Sequence, residues 1–173
     1  AVASKNLTDK IEVRQGSGLQ ILGKAEVGNI IIAGMGGETI VDILAFDWEK
    51  ARSFPWYIFQ PMSRPEALRR ELAMQGWPII DESLVKENDR YYAIICCCPG
   101  NQPYRLSALQ LEMGPVILKS ENKLKKDYIQ KYLKKYYTIY YSLKKSSGAK
   151  KGLLIGYERM IMELEGILNA GEN

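Results

Sequence analysis

The part of the chain that most constrains its fold is an apolar run ending in glycines, Asn29-Ile30-Ile31-Ile32-Ala33-Gly34-Met35-Gly36-Gly37. Three consecutive isoleucines are typical of a strand buried on both faces, as in parallel sheets covered by helices. Glycine after such a strand permits a positive φ and lets a ligand approach the backbone closely. Because ligands of open α/β sheets lie beyond the carboxyl ends of the strands, these glycines indicate a candidate binding site. The alternative is a tight strand-to-helix turn that binds nothing.

The segments around this run fit one βαβ unit. Apolar residues after the glycines recur at helical spacing and predict a crossover helix that ends near Trp48. Residues 56–60 predict a second buried strand, which Pro61 stops. Before the unit, residues 11–13 alternate as a short strand does.

A helix and a hairpin are predicted next. Ser63-Arg64-Pro65-Glu66 is a capping box with proline in the first turn, so a helix should begin there, and Gly76 should end it. Two β-rich runs, 77–85 and 91–98, are separated by the polar residues 86–90. We therefore expect an antiparallel hairpin. A parallel βαβ sheet that finishes in such a hairpin is a restricted α/β topology.

The last third of the chain has a different pattern. Two apolar series step by three or four residues and are separated by the polar residues 146–149: Ile129, Tyr132, Tyr136, Tyr140 and Leu143, then Leu154, Tyr157, Ile161, Leu164 and Leu168. They predict an antiparallel helical hairpin of the coiled-coil kind. We place the domain boundary after residue 118, with an α/β domain over 1–118 and the helical hairpin over 119–173.

Positive charge is concentrated in this hairpin. The chain carries a formal net charge of +4, but residues 119–151 hold 11 lysines against Glu121 and Asp127. Six tyrosines lie among these lysines. Ammonium groups beside flat rings are typical of surfaces that bind nucleic acid without reading its sequence. The alternative is a solvated helix face whose tyrosines fill the coiled-coil seam. The lysines that we predict to contact RNA are Lys123, Lys125, Lys126, Lys131, Lys134, Lys135, Lys144, Lys145, Lys150 and Lys151.

Several function classes are excluded by composition. With His 0, the chain contains neither a Ser-His-Asp triad nor a histidine-based zinc site. Cys96, Cys97 and Cys98 are consecutive and lack the C-x-x-C spacing of metal sites, so we expect them to pack in the core of a cytoplasmic protein. No apolar run is as long as a membrane span. We therefore predict no metal and no membrane partner, while the oligomeric state is not indicated.

The following motifs run in order through nearly all of residues 6–118: Glu12-Val13-Arg14-Gln15-Gly16-Ser17-Gly18-Leu19, Ile32 to Gly37, Gln60-Pro61, Glu66-Ala67-Leu68-Arg69, Gly76-Trp77 with Asp81-Glu82, and Tyr92-Ala93-Ile94-Ile95. In this order and spacing, the chain resembles the bacterial tRNA (adenine-N1)-methyltransferases that modify adenine 22. The resemblance implies a Rossmann-like class I methyltransferase domain, S-adenosyl-L-methionine as the cofactor, tRNA as the partner and a coiled-coil tail.

The resemblance also implies roles for individual residues. The target base would be positioned by Ala33, Gly34, Met35, Gly36, Gly37 and Gln60. The cofactor would be bound by Gly16, Ser17, Gly18 and Leu19. For two of these residues an alternative stays open: Met35 packs on the base or inside the core, and Gln60 reaches the same crevice or only caps a helix.

Two departures from the family pattern weaken the cofactor site. Family members carry a further amino-terminal part with a D-I-G-T-D-H motif, which holds the methionine portion of the cofactor and is missing here. The family's G-D-G loop has an acid near the cofactor adenine, where this chain has the uncharged Ser17. We therefore expect a truncated methyltransferase that is not competent alone. The alternatives are a non-catalytic RNA-binding module, or a cationic hairpin that binds anionic lipid or another protein.

Overall fold

The computed structural model describes residues 10–145 and 151–170. Its strands are β1 (Asn29–Gly36), β2 (Trp56–Ser63), β3 (Ile79–Glu87) and β4 (Arg90–Cys97), and its helices are α1 (Gly37–Ala45), α2 (Trp48–Ala51), α3 (Pro65–Met74), α4 (Ala108–Met113), α5 (Lys125–Lys145) and α6 (Lys151–Ala170). Two 3₁₀ turns lie at Gly18–Ile21 and Ile117–Lys119. Within the described ranges, no helix is both long and apolar enough to pass through a lipid bilayer. The predicted polar break at 146–149 and the predicted RNA contact Lys150 fall outside these ranges.

The four strands form one mixed sheet in the order β1-β2-β4-β3. Strand β1 runs parallel to β2, with Ile32 opposite Phe59, and α1 and α2 connect the two strands. Strand β4 is antiparallel to both β2 and β3. Asn88, with φ 52°, is one of the turn residues between β3 and β4. The predicted βαβ unit followed by an antiparallel hairpin is therefore confirmed.

Helices cover one face of this sheet in the described part of the chain. Ile32 and Phe59 lie on that face and are buried, and α1 and α3 pack against each other over it. Ile31 is on the opposite face and is 68% exposed. The prediction that this strand is buried on both faces is therefore wrong, because alternate residues of a strand face opposite sides and no described element covers the second side. The same applies to Trp56, which is exposed in the second predicted buried strand.

Three further predictions about element boundaries are wrong. Residues 11–13 do not form a strand: they are exposed and irregular, with no strand beside them in the described chain to pair with. Pro61 lies inside β2, which is tolerated because the pairing with β1 is irregular there and the pairing with β4 stops at Phe59. Ser63 is the last residue of β2 and does not cap the following helix, whose N-cap is Arg64 in a left-handed conformation.

Other details agree with the prediction only in part. Helix α3 ends before Gly76, whose φ of +75° favours glycine, as predicted. A capping box is present at another helix, where Ser107 and Gln110 cap α4. The three cysteines are free, as expected, but only Cys97 is buried. Burial raises the pKa of the Cys97 thiol well above its ordinary value.

The helical hairpin is formed as predicted. Ile129 near the start of α5 lies beside Ile167 near the end of α6, while Tyr136 contacts Tyr157 near the start of α6, so the two helices are antiparallel. Ile161 and Leu164 of α6 are buried in the seam. The apolar series read from the sequence therefore form the contact between the helices.

A row of tyrosines joins this hairpin to the sheet. We use the name tyrosine row for Tyr91, Tyr128, Tyr132, Tyr136 and Tyr157. Successive ring centroids are 5.3, 4.9, 5.6 and 5.6 Å apart, distances typical of packed aromatic pairs. The row begins on β4, follows α5 and ends on α6. Tyr128 and Tyr136 are buried, so these two rings are core residues, as the alternative interpretation of the tyrosines expected.

Candidate functional site

The carboxyl end of β1 is exposed, and one side-chain hydrogen bond links it to β2. The backbone N–H of Gly34 donates to Oε1 of Gln60 on β2, at 3.0 Å. Gly34 has a φ of +78°, which favours glycine, and a methyl group added there would meet no heavy atom of the described residues within 4 Å. The strand therefore ends in a space large enough for a ligand to approach the backbone.

For Met35 and Gln60, the structure excludes one of the two alternatives that the sequence left open. Met35 is 42% exposed and lies opposite Pro61 of β2, so it is a surface residue and not a core methionine. Gln60 bonds the neighbouring strand and does not cap a helix. The pairing of β1 with β2 is irregular on both sides of Met35, which places Ala33, Gly34 and Met35 at the bulged end of the strand.

The three glycines differ in what they do. Gly36 is the last residue of β1 and Gly37 the first of α1, so the expected separate turn is absent and the strand continues directly into the helix. Gly37 is buried, and a methyl group there would be 2.2 Å from the carbonyl oxygen of Arg64. Its glycine is thus explained by packing against the start of α3. Only Gly34 combines a positive φ with open space.

The residues predicted to bind the cofactor lie in a different place, beside α1. A cavity of about 370 Å³ is lined by Ser17, Gly18, Leu19, Gln20, Thr39, Asp42, Ile43, Phe46, Asp47 and Lys50. The exposed ring of Phe46 and the hydroxyl of Ser17 suit the flat ring and polar edge of an adenosine group. Gly16 is exposed and does not line this cavity. Gln60 and the end of β1 do not line it either. The structure therefore does not join the two predicted sites in one cavity.

The predicted RNA-binding lysines divide into groups along the hairpin. One surface cavity of about 520 Å³ is lined by Lys131, Tyr132, Lys134, Lys135, Thr138 and Ile139 of α5. A second, of about 390 Å³, contains Lys123, Lys125 and Lys126 with the end of α6. Lys144 and Lys145 end α5, and Lys151 begins α6. The predicted lysines thus lie along the first half of α5 and at its last turn, and are not confined to one helix end.

Two residues near this surface were not singled out from the sequence. Lys86 of β3 lies opposite Tyr91 of β4, and its Nζ is 5.4 Å from the centroid of the Tyr91 ring. Nζ of Lys131 is 5.3 Å from the same centroid. The hairpin prediction treated Lys86 only as a turn residue. Pairing the residues on either side of the turn would have placed Lys86 opposite Tyr91.

The topology and the open end of β1 define the class of protein. A parallel βαβ unit with a candidate site at the carboxyl end of its first strand is a Rossmann-like arrangement. A Streptococcus agalactiae protein of the NADB-Rossmann superfamily superposes with a TM-score of 0.78 at 28% identity, covering 96% of this chain and 72% of that chain. The fold class is thus the predicted one.

The chain belongs to the tRNA (adenine(22)-N(1))-methyltransferase family, whose family model matches residues 1–157. The tRNA (adenine(22)-N(1))-methyltransferase of Bacillus subtilis (strain 168) is 30% identical over 125 residues, which are 70% of this chain and 52% of the relative. The chain therefore spans about half the length of this curated relative. A Streptococcus pneumoniae protein solved in complex with S-adenosyl-L-methionine superposes with a TM-score of 0.76 at 27% identity, covering 96% and 72% of the two chains. The predicted family is confirmed.

Proposed function

We propose that this chain acts in the S-adenosyl-L-methionine-dependent methylation of tRNA, at N1 of adenine 22. The observation that carries the proposal is the hydrogen bond from Gly34 to Gln60 at the open end of β1, in a member of this family. It holds the side-chain amide of Gln60 at the edge of a surface where the backbone is accessible. A planar base placed against Gly34 would have this amide at its edge.

The chemistry of the reaction agrees with the residues present. N1 of neutral adenine carries a lone pair and no proton, so its attack on the methyl group of a sulfonium needs no general base. The reaction therefore does not require a histidine. Catalysis would then come from orientation, which can remove ~7–11 kcal/mol of a barrier. Because Oε1 of Gln60 accepts from Gly34, Nε2 is the free end of the amide, and its contact within the described residues is the Met62 sulfur at 3.5 Å. Nε2 is therefore available to donate to an acceptor on the base.

We infer separate roles for the two parts of the chain. Residues 1–118 would form part of the methyltransferase domain, with Ala33, Gly36 and Met35 around the base. Residues 119–173 would bind tRNA through the predicted lysines, in the cytoplasm. The net charge of residues 119–151 supports this role, because binding to phosphates is driven largely by the release of counterions.

We also propose that the chain alone is a weak enzyme. Three of the predicted cofactor residues, Ser17, Gly18 and Leu19, line a cavity separate from the end of β1, and Ser17 supplies no charge for the cofactor. The same observation favours the second candidate function, a non-catalytic RNA-binding module, for the isolated chain. The two functions differ in cofactor binding and share RNA binding.

Two measurements test the proposal. Calorimetric titration of S-adenosyl-L-methionine is expected to show weak or no binding, and filter binding of a tRNA transcript is expected to show salt-dependent affinity. Methyl transfer with excess protein is expected to be slow and to require adenine at position 22, so a transcript with guanine there is the control. Absence of tRNA binding would refute both candidate functions. Rapid transfer by the chain alone would refute only its predicted incompetence.

A single variant tests the role of Gln60. Gln60→Ala is expected to lower the single-turnover rate of methyl transfer by roughly a hundredfold, the scale of a small misplacement of reacting groups. Its affinity for tRNA should be unchanged, because the lysines of the hairpin are intact. Gln102→Ala, in an exposed loop, is the matched control and should behave as the parent chain. Equal rates for the two variants would remove Gln60 from the site.

A further inference from the structure

A cleft lies where the end of β2 meets the start of α5. It has a volume of about 210 Å³ and is lined by Pro61, Met62, Pro65, Tyr91, Ala93, Tyr128, Lys131 and Tyr132. Three members of the tyrosine row form one wall, and the end of β2 forms the other. We use the name tyrosine cleft for this site. It lies outside the residues to which the proposed function gives a role in holding the base.

The position of the tyrosine cleft connects the two parts of the proposed site. Pro61, on its β2 side, lies opposite Met35 in the register of the sheet, one residue beyond Gln60. On the α5 side, Lys131 and Tyr132 also line the larger cavity that continues along the helix to Lys134 and Lys135. The cleft therefore lies next to both the lysines of α5 and the end of β2 that pairs with β1.

The ammonium group of Lys131 belongs to the lining of the tyrosine cleft, and that of Lys86 lies next to the cleft, beside Tyr91. Nζ of Lys86 and Nζ of Lys131 lie 5.4 and 5.3 Å from the centroid of the Tyr91 ring. Lys131 also donates to the backbone carbonyl oxygen of Asp89. Among the described residues, neither lysine forms an ion pair with a carboxylate, whereas Lys135 does with Glu112, at 3.4 Å. The charge of both lysines is therefore open to phosphate groups, and the two ammonium groups share the Tyr91 ring as a neighbour.

The shape of the cleft selects among anionic ligands. An acidic peptide would use the two ammonium groups but not the aromatic wall. A nucleotide has a phosphate for the lysines and a flat base for a tyrosine ring, and Tyr132 is only partly buried. A cleft of about 210 Å³ is too small for a duplex. The combination of ring and charge therefore favours a single unpaired nucleotide.

We propose that the tyrosine cleft binds one unpaired nucleotide of the substrate RNA close to the target adenine, with its phosphate at Lys86 and Lys131 and its base against Tyr132. This inference rests on the proposed function, since it assigns a subsite to the same RNA. It differs in that it locates a second nucleotide of this RNA, at a site formed jointly by the sheet domain and the helical hairpin. The cleft would thus hold the RNA strand between the lysines of α5 and the end of β1.

The first test compares two double variants of the full chain by fluorescence anisotropy with a labelled tRNA transcript across a potassium chloride series. Lys86→Gln/Lys131→Gln is expected to weaken binding about tenfold and to reduce the slope of log affinity against log salt by roughly 0.7–0.9, the value for one phosphate contact. Lys24→Gln/Arg70→Gln removes the same charge from exposed positions away from the cleft and should keep the parent slope. Equal slopes for both double variants would overturn the subsite and leave the proposed function standing.

The second test needs no variant, so it is independent of folding defects. Zero-length ultraviolet cross-linking of the parent chain to the transcript, followed by peptide mass spectrometry, should place a nucleotide on Tyr91 or Tyr132. Adducts confined to α6 or to the cavity beside α1 would overturn the proposal. If the parent chain binds no tRNA, the proposed function fails together with this inference.

Discussion

Arg69 of α3 and Glu82 of β3 form an ion pair that is completely enclosed, with Nε 2.7 Å from Oε1 and both side chains 0% exposed. Each partner also binds the segment that leads to the helical hairpin. Nη1 of Arg69 donates to the carbonyl oxygen of Leu111 at 2.8 Å, and Oε2 of Glu82 accepts from the backbone N–H of Val116 at 2.9 Å. The pair therefore ties the sheet domain to the base of the hairpin.

Breaking this pair from one side should be strongly destabilising. We expect Glu82→Gln to lower the free energy of unfolding by about 3–5 kcal/mol, because it leaves the buried guanidinium of Arg69 without a counter-charge. Urea denaturation followed by circular dichroism measures the loss. Glu38→Gln, which breaks an exposed pair with Arg64, is the control and should cost about 0.5 kcal/mol or less. Similar losses for the two variants would show that the interior pair is hydrated in solution.

Gly114 lies against the carboxylate of Glu82, and a side chain at this position would disturb the ion pair. Its φ is +101°, and a Cβ there would be 2.5 Å from Oε2 of Glu82. We expect Gly114→Ala to cost more than about 2 kcal/mol, from backbone strain and displacement of a buried carboxylate. Gly156→Ala, in α6 and without a described neighbour within 4 Å, should raise stability by roughly 0.5–1 kcal/mol. Thermal melting of both variants gives the comparison, and a tolerated alanine at position 114 would contradict the network.

Tyr136 should behave unlike an ordinary buried tyrosine. Its hydroxyl has no hydrogen-bond partner among the described residues, and burial, followed by the nearby Glu112, raises its pKa far above the ordinary 10.0. At neutral pH we expect Tyr136→Phe to leave stability unchanged or to raise it by about 0.5–1 kcal/mol, because an unpaired polar group is removed.

The same variant should change the alkaline limb of stability. Above pH 10 the unfolded chain releases a phenolic proton that the folded chain keeps, so the free energy of unfolding falls as pH rises. The parent chain should lose stability from about pH 10 upward, and Tyr136→Phe should lose less. Urea titrations from pH 7 to pH 11 test both points. Parallel curves for the two proteins would mean that this hydroxyl is hydrated.

The uncovered face of the sheet gives a prediction about neighbouring isoleucines. Ile31 is 68% exposed and Ile32 only 9%. We expect Ile32→Thr to cost about 2–3 kcal/mol, since it removes a buried methyl group and buries a hydroxyl. Ile31→Thr keeps the β-branched shape and should cost about 0.5 kcal/mol or less. Chemical denaturation distinguishes them, and equal losses would indicate that another surface covers this face in solution.

Features of this structure that follow from local sequence patterns could be predicted, and features that depend on contacts between distant residues could not. The βαβ unit follows from a local pattern, an apolar run with glycines and then helical spacing. The hairpin of α5 and α6 follows from two long apolar series. The number of covered sheet faces does not follow, because Ile31 has the same side chain whether its face is covered or open.

The remaining misses involve contacts between distant residues. Arg69 and Glu82 lie in two different predicted elements, and no local pattern indicates that their side chains form an ion pair. The left-handed Arg64 has no residue-type signal, since arginine rarely adopts that conformation. For the candidate site, the end of β1 and Gln60 could be found from sequence. The separation of the 16–19 loop from that end could not, because it depends on where an irregular segment packs.

The tyrosine row provides a contact between the helical hairpin and the sheet that salt should not weaken. Its link to β4 consists of ring packing between Tyr91 and Tyr128, and dissolved ions screen charges but do not weaken such contacts. Salt concentrations that screen the lysines should therefore leave this ring contact between the hairpin and the sheet in place. The contact between Tyr91 and Tyr128 would thus persist at salt concentrations that dissociate an anionic ligand.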